Sequence, residues 1–597
     1  MILKSLYDLY DRLQGDPSYL LPPVGYSPQK ITFKVVLTPS GEPFAIQDAR
    51  EAVDGRPRSR QLLVPGTTKP SGIGLNPGFL WDNTAYMLGF KPDDGNPQRT
   101  TAAFEAFRSR HLAVEGDIDS PSFHAICRFL ESWEPEHAEE HSILPELQSG
   151  FGVFQIQGRT ELVHEDPVVK AWWQQQQATT EGPVGHCLVT GRVAALARIH
   201  EKVKGVVGAQ GGGAALVGFN DSAYLSYGRT QSFNAPVSQE AAFRYVAAAN
   251  ALLDGPKREK HRLLLGDTTV AFWTEKPSAV EDVFARWAVA GSQAREEIQD
   301  EGLRQKLEAF LKALRRGREA YGDVDEEPER TGFYLLGLSP NAARLSVRFF
   351  HHGTLAQLLD NLRHHHRDIG IERRYGEGSK RPEPALPSLN HLLDETCPRR
   401  NGRPDREKIP PILSGPLLCA VITGGRYPDG LFSAVLRRVH ADAEVNYYRA
   451  SVIKGFLNRN RKENVAMSLD TDRADPPYRL GRLFAALEKT QMDALGRELN
   501  ATIRDRFYSS ASATPRSVFP RLLRTYAHHL AKLERGHKIN REKLVQEILD
   551  PLSGFPAHLD LTGQGLFAIG YYHQTRAFFQ RQDASKPELQ SPNEEES

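Results

Sequence analysis

Four cysteines and four methionines are all that 597 residues contain of sulfur. Cys127, Cys187, Cys397 and Cys419 lie far apart, with no CxxC pair among them. That spacing excludes a zinc ribbon and a disulfide framework and fits a reducing, cytoplasmic location. Charge of one sign is also missing: 75 Lys and Arg face 74 Asp and Glu, a formal net charge of +1. The chain is therefore not basic overall, and any contact with a polyanion must come from cations gathered on one surface. There is no run of about 18 apolar residues, which excludes a membrane-spanning helix. The opening MILKSLYDLYDRL has no apolar core of the signal-peptide kind. P-loop, GxSxG, HExxH and zinc-deaminase signatures are absent too, which removes the commonest motif-borne chemistries.

What is present is globular. At 40% hydrophobic and 9% aromatic residues, the chain has material for sizeable cores and is not disordered as a whole. Ile2, Leu3, Leu6, Leu9, Tyr10 and Leu13 recur at helical spacing up to the stop Gly15-Asp16-Pro17. Ile31, Phe33, Val35 and Leu37 alternate as in a strand, and so do Leu345, Val347 and Phe349. Residues 56–60 read as a basic loop, and 186–235 as strands and turns. A helix starts near Ser238. Ser278 with Glu281 reads as a capping box opening a long charged helix or helix pair that runs to about Arg316. The polar, Pro-rich stretch 368–412 reads as irregular surface. From about 467 the pattern is purely helical, with apolar stripes at Leu480, Leu483, Phe484, Leu487, Leu495 and Leu499 and at Phe519, Leu522, Leu523, Tyr526, Leu530 and Leu533. The expected fold class is α+β: a mixed α/β body over 1–466 followed by an all-helical bundle over 467–597, whose acidic tail, 584–597, is expected to be disordered.

Three features could carry chemistry. His364-His365-His366, with His351-His352 upstream, suggest a metal. Consecutive histidines point in different directions, however, and at a helix end they read as a solvated terminus favoured by the dipole. The competing class is a stand-alone metal-dependent nuclease using this region with Asp394 or Glu395. The second feature is a pair of basic segments. Residues 426–462 hold eight Lys or Arg against three acids, with Tyr427, Tyr447, Tyr448 and Phe456 interleaved. Residues 497–543 hold eleven against four. Cations with aromatics suit a single strand, by backbone attraction and base stacking; a solvated helix face over core aromatics fits the first segment equally well. Arg459, Arg461, Arg504, Arg506, Arg521 and Arg524 are the candidate strand contacts. The third feature is GAQGGGAALVGFN, 208–220, where Gly211, Gly212 and Gly213 would let a nucleic-acid backbone approach closely. A plain turn is the alternative.

Four stretches together resemble the Csd family, the large subunits of the type I-C CRISPR Cascade. They are MILKSLYDLYDRL with LPPVGYSPQKITF; CLVTG at 187–191, running on to SYGRTQSFNAPVS at 226–238; FYLLGLSPNAARLSVRFF at 333–350; and YRLGRLFAALEKTQ with LNATIRDRFYSSASATPRSVFPRLL at 478–523. The resemblance implies no cofactor and no catalysis. It implies a subunit of a crRNA-guided complex that helps read the PAM, starts target unwinding, stabilises the R-loop and recruits the helicase-nuclease. Its partners would be crRNA, target duplex and displaced strand, the backbone and crRNA-processing subunits, and a small subunit. By position the family's PAM-contacting Lys and Asn match Lys30 and Asn76, and Gln210, Asn220, Arg229, Gln231 and Asn234 are candidates for the point where the strands part. The family also implies that the C-terminal region is made separately from an internal start. After Met87 only Met467 and Met492 remain, and starting at Met492 would discard Leu480, Leu483, Phe484 and Leu487. Met467 is therefore the expected start, and Lys462-Glu463 upstream can be encoded as a ribosome-binding sequence.

Overall fold

The computed structural model describes residues 1–583 except 54–55, 68, 70–73, 142, 148–149, 179–181, 220, 292–297, 377–378, 380–381 and 497–499. The expected acidic tail, Asn220, Arg497 and Leu499 thus lie outside the described residues. The chain forms two compact units, Met1–Gly205 with Gln210–Lys257, and Val206–Ala209 with Arg258–Ser597.

In the first unit, α1 (Ile2–Gln14) buries Leu6, Leu9, Tyr10 and Leu13 as one stripe. β1 (Tyr26–Leu37) is long enough to serve two neighbours on one edge. Its first half pairs antiparallel with β5 (Arg60–Pro65), and its second half with β2 (Pro43–Asp48). On the other edge it runs parallel to β7 (Phe151–Ile156), which pairs with β6 (Trp81–Asp82). Phe33, Val35, Leu37, Phe154 and Ile156 face a core completed by α3 (Pro97–Leu112) and α4 (Pro121–Ser132). The expected basic loop at 56–60 is instead a short hairpin, β3 (Glu51–Val53) with β4 (Arg56–Arg58), leading into β5. Among its described residues the stretch 186–235 contains fewer strands than its Gly content and short apolar runs suggested: β8 (Val184–His186) and β9 (Val193–Ala195), then turns and short 3-10 segments. Ser238 caps α6 (Gln239–Leu253) by accepting from Ala241 N–H.

The second unit is built on an antiparallel sheet in the order β10 (Arg262–Leu265), β11 (Thr268–Thr274), β12 (Gly332–Asn341) and β13 (Arg344–Thr354). Ser278 caps α8 (Ala279–Ala290), but Glu281 does not close a box. Its buried carboxylate accepts from Thr274 N–H and Oγ1, both at 2.8 Å, tying the helix to the sheet. The charged helix that follows is α9 (Glu301–Arg316). The polar stretch 368–412 is mostly irregular but includes a short helix, Leu389–Asp394. The C-terminal helices are α15 (Pro476–Leu495), α16 (Ile503–Ala513), α17 (Pro515–Leu530), α18 (Arg535–Leu549) and α19 (Leu561–Asp583). They share one continuous core with the sheet and with α10 (Leu355–Ile369), α12 (Pro411–Thr423), α13 (Asp429–Asp442) and α14 (Tyr447–Phe456). The compact division therefore falls near Lys257. Helices precede residue 467, from α10 to α14, as well as follow it, and both sets share that core.

The histidine triplet corrects the sequence reading. Helix α10 continues to Ile369, and its period puts His365 and His366 on the buried face with Leu355, Leu358, Leu359 and Leu362. Only His364 is exposed. His365 Nδ1 lies 2.7 Å from Tyr427 Oη. Both ring nitrogens of His366, which packs edge-on to Trp287, have no hydrogen-bond partner. Burial pushes His366 from 6.5 down to about 3 and His365 well below its ordinary value. A group whose folded pKa is depressed contributes its full stability above its unfolded value, and loses it as pH falls toward the folded one. The second unit is thus expected to lose stability between about pH 6.5 and 3, at up to about 1.4 kcal/mol per pH unit for each such histidine. Melting curves across this window check it: His366→Leu should flatten the slope and, by removing two unsatisfied nitrogens, stabilise the fold at pH 7 by about 1 kcal/mol.

Candidate nucleic-acid interface

Asn76 sits on a loop whose backbone is pinned from several directions. At the base of the loop, Trp81 Nε1 donates to Pro65 O at 2.6 Å. Lys69 Nζ donates to Asn76 O at 2.5 Å and pairs with the fully buried Asp82 at 2.6 Å, its ammonium 3.6 Å from the centre of the Tyr86 ring. Asp82 also accepts from Gly78 N–H and Asn83 N–H, each at 2.7 Å. Burial pushes the Asp82 carboxyl up, and Lys69 and the two amides pull it back. Tyr86 Oη accepts from Asn76 N–H at 3.1 Å. Behind the loop Leu80 is held in the left-handed region, φ +63°, with its N–H donating to His111 Nε2 at 2.9 Å. His111 stacks on Phe79 with ring centres 5.3 Å apart. Gly78 admits no side chain, because a Cβ there would lie 2.0 Å from Trp81 O. The Asn76 amide itself is exposed, with one local bond to Gly74 O at 3.2 Å. A rigid frame thus presents a free donor and acceptor. Sequence reading singled out Asn76 but missed Lys69, Tyr86 and His111; the one signal for them was the acid at Asp82, in a WD pair followed by the helix cap Asn83. Lys30 is exposed on β1, opposite Gln61 of β5.

The glycine loop divides into two kinds of position. Gly213 is structural: its φ is +88°, and a Cβ would meet Val203 O at 2.8 Å. Gly211 and Gly212 have nothing within 4 Å of a would-be Cβ, so packing does not require them. Gln210 is exposed and accepts from Gly213 N–H through its carbonyl at 2.8 Å. Asn234 is a clamp. Its Oδ1 accepts from Ser226 N–H at 2.8 Å, and its Nδ2 donates to Arg229 O at 3.0 Å and Gln231 O at 2.8 Å. Gln231 accepts from Arg198 at 2.8 Å. What this clamp presents is Tyr227, 97% exposed at φ +52°, beside the exposed Arg229.

The two basic segments of the second unit differ. In 426–462 the central cations are structural. Arg449, 1% exposed, binds Glu395 at 2.9 Å and Asp442 at 2.5 Å. Lys454 is buried against the carbonyls of Arg367 and Asp368 and is pushed down to about 8. Arg459 is buried too, bound to Asp368 at 2.8 Å and lying over the Tyr427 ring at 4.4 Å. Tyr427, Tyr447 and Phe456 are core. Arg461 remains exposed. On α16 and α17, by contrast, Arg506, Arg521 and Arg524 are exposed, and none pairs with a described carboxylate. Arg504 turns inward toward Glu488. Among the described residues no group of three His, Cys, Asp or Glu could hold a metal. Asp394 is held by Arg406 through two 2.8 Å bonds, and Glu395 by Arg449 and Arg399. The nuclease reading has no support from these contacts. No described helix is long and apolar enough to cross a membrane.

The class of protein is a large α+β subunit with pinned polar loops in one unit and, on helices of the other, cations that no described carboxylate opposes. The family model described as CRISPR-associated protein (Cas_Csd1) matches residues 6–579. The chain belongs to that family, the large subunits of the type I-C Cascade, and is a component of a CRISPR complex. No curated protein matches it.

Proposed function

We propose that this chain is the non-catalytic, PAM-sensing large subunit of its interference complex: it reads the PAM duplex, starts strand separation, stabilises the R-loop and recruits the helicase-nuclease. The observation that carries this reading is the exposed Asn76 amide on a loop fixed by the Lys69–Asp82 pair, within a chain that matches the family from 6 to 579. A rigidly held amide suits base-edge acceptors, and Lys30 suits a phosphate or a base acceptor. Gln210, Gly211, Gly212, Arg229 and Tyr227 supply exposed groups for the parting strands. Asn234, Gln231 and Gly213 act by shaping the turns that present them. Arg461, Arg506, Arg521 and Arg524 attract single-strand phosphates. The partners on this reading are crRNA, target duplex, displaced strand, the other Cascade subunits and the helicase-nuclease.

Asn76→Ala and Lys30→Ala are each expected to weaken binding of the assembled complex to PAM-bearing duplex by about 1–3 kcal/mol. Neither should affect a target carrying a pre-opened bubble. Repeating the titration over a range of salt with Arg506, Arg521 and Arg524 changed to Ala should lower the slope by about 0.7 for each single-strand phosphate that is no longer neutralised. Wild-type duplex affinity in both single variants would refute the assignment of the PAM site.

We also propose that the region from Met467 is made separately as a small subunit. Met467 is 63% exposed, in the polar lead before α15, so a fragment beginning there keeps α15–α19 whole. A C-terminal tag should co-purify a fragment whose first residue is Met467, and synonymous recoding of Lys462-Glu463 should abolish it. Absence of any C-terminal fragment from the native gene would refute this.

A further inference from the structure

The turn held by Asn234 carries at its tip a residue that the fold itself does not use. Ser226 O accepts from Arg229 N–H at 3.0 Å, which closes a two-residue turn on Tyr227 and Gly228. Both central residues are left-handed, with φ +52° and +69°. Turns of this kind favour Asn-Gly, because an L side chain at positive φ crowds the carbonyl that follows it. Gly228 meets that demand and Tyr227 does not. A bulky residue in this conformation costs stability, and it persists only where the surrounding structure enforces it. Here the enforcing group is Asn234, which binds Ser226 N–H and Arg229 O and so ties the two sides of the turn together. Packing does not offset the cost, since Tyr227 is 97% exposed. The ring therefore has its use outside the chain.

What the ring suits follows from how it is presented. Every residue from Asp221 to Thr230 is exposed, so both faces of the ring are open. An open, rigidly held ring stacks on a nucleobase whatever the identity of that base. The exposed Arg229, two residues on, suits the phosphate beside it. We propose that Tyr227 stacks on the last base pair of the PAM duplex, filling the place of the next pair as the strands part. The proposal rests on the function stated above and assigns one step of it to one residue. The ring restores to the last pair the stacking that opening removes.

The test uses the assembled complex and a PAM-bearing duplex with 2-aminopurine in the first pair beyond the PAM, either paired or mismatched. Asn suits the left-handed position, so Tyr227→Asn should melt at or above the wild-type temperature. That variant should capture the duplex normally yet open the paired target about tenfold more slowly, near the low end for one base stack. On the mismatched target, which is already open, it should match the wild type. Tyr227→Phe keeps the ring and should open both targets at the wild-type rate. Wild-type opening by Tyr227→Asn, slow opening by Tyr227→Phe, or a lowered melting temperature in Tyr227→Asn would each overturn the proposal. So would equal slowing on both targets, which would mean that the ring meets a protein partner. Capture judges the PAM reading separately: normal capture by both Asn76→Ala and Lys30→Ala refutes that reading, while slow opening of the paired target alone by Tyr227→Asn still supports the stack.

Discussion

Gly481→Ala is expected to destabilise the C-terminal helices by about 3 kcal/mol or more, at or beyond the upper end for overpacking. Helices α15 and α19 pack backbone to backbone here. A Cβ at Gly481 would lie 2.0 Å from Phe567 O and 2.8 Å from Tyr571 N, and one at Gly570 would lie 2.0 Å from Tyr478 O. These are helix backbone atoms: those of α19 cannot move without carrying the buried Phe567, Ala568 and Tyr571, nor α15 without the buried Leu480, Leu483 and Phe484. The intrinsic preference has the opposite sign: Ala is favoured over Gly in a helix by about 1 kcal/mol. Denaturant unfolding of the variant therefore has a decisive sign. A more stable Gly481→Ala protein would show that the two helices do not touch at this point. The effect also bears on the proposed small subunit, since both helices lie beyond Met467.

Lys69→Met should produce the second large effect, and a functional one with it. Removing the cation leaves Asp82 buried with two backbone amides and no counter-charge in contact, which costs about 3–5 kcal/mol for a buried pair; with Lys69 18% exposed and the two amides retained, the lower end is expected. The sign of its pH dependence follows from Asp82. Burial already raises that carboxyl, and without Lys69 it rises further. The deficit is therefore greatest at pH 7 and shrinks as pH falls, because a protonated Asp82 tolerates burial. Asp82→Asn combined with Lys69→Met should recover much of the stability by removing both charges. Duplex recognition should not recover with it, since the bond from Lys69 Nζ to Asn76 O is still missing. Unfolding curves at two pH values and duplex titrations of the single and double variants measure this. A pH-independent deficit would mean that Asp82 is not the group left stranded.

The parts of the molecule legible in the sequence are those governed by local pattern. The stripe of α1, the alternation of β1 and β13, the cap at Ser238 and the run of helices after 467 all follow from periodicity and capping, which need only neighbours in sequence. Glu281 shows the limit. Its spacing from Ser278 suits a capping box, but a sheet lying above the helix offers two better donors in Thr274, and tertiary contact takes the carboxylate. His365 and His366 show the same limit from the other side. Read one residue at a time they are polar; read as positions on a helix that runs on to Ile369, they fall on its buried face.

Composition, motif and family resemblance determined by themselves that this chain is an α+β CRISPR-associated subunit, because those signals are carried by residue identity along the whole length. Which cations face outward was decided only by tertiary structure. In 426–462 and 497–543 alike the sequence shows Lys and Arg in excess of acids, eight against three and eleven against four. Yet Arg449 and Arg459 are buried on carboxylates brought from 395, 442 and 368, while Arg506, Arg521 and Arg524 meet no such partner among the described residues. A charge becomes an ion pair or a binding surface according to what the fold brings within about 4 Å of it, and Glu395 stands 54 residues from Arg449.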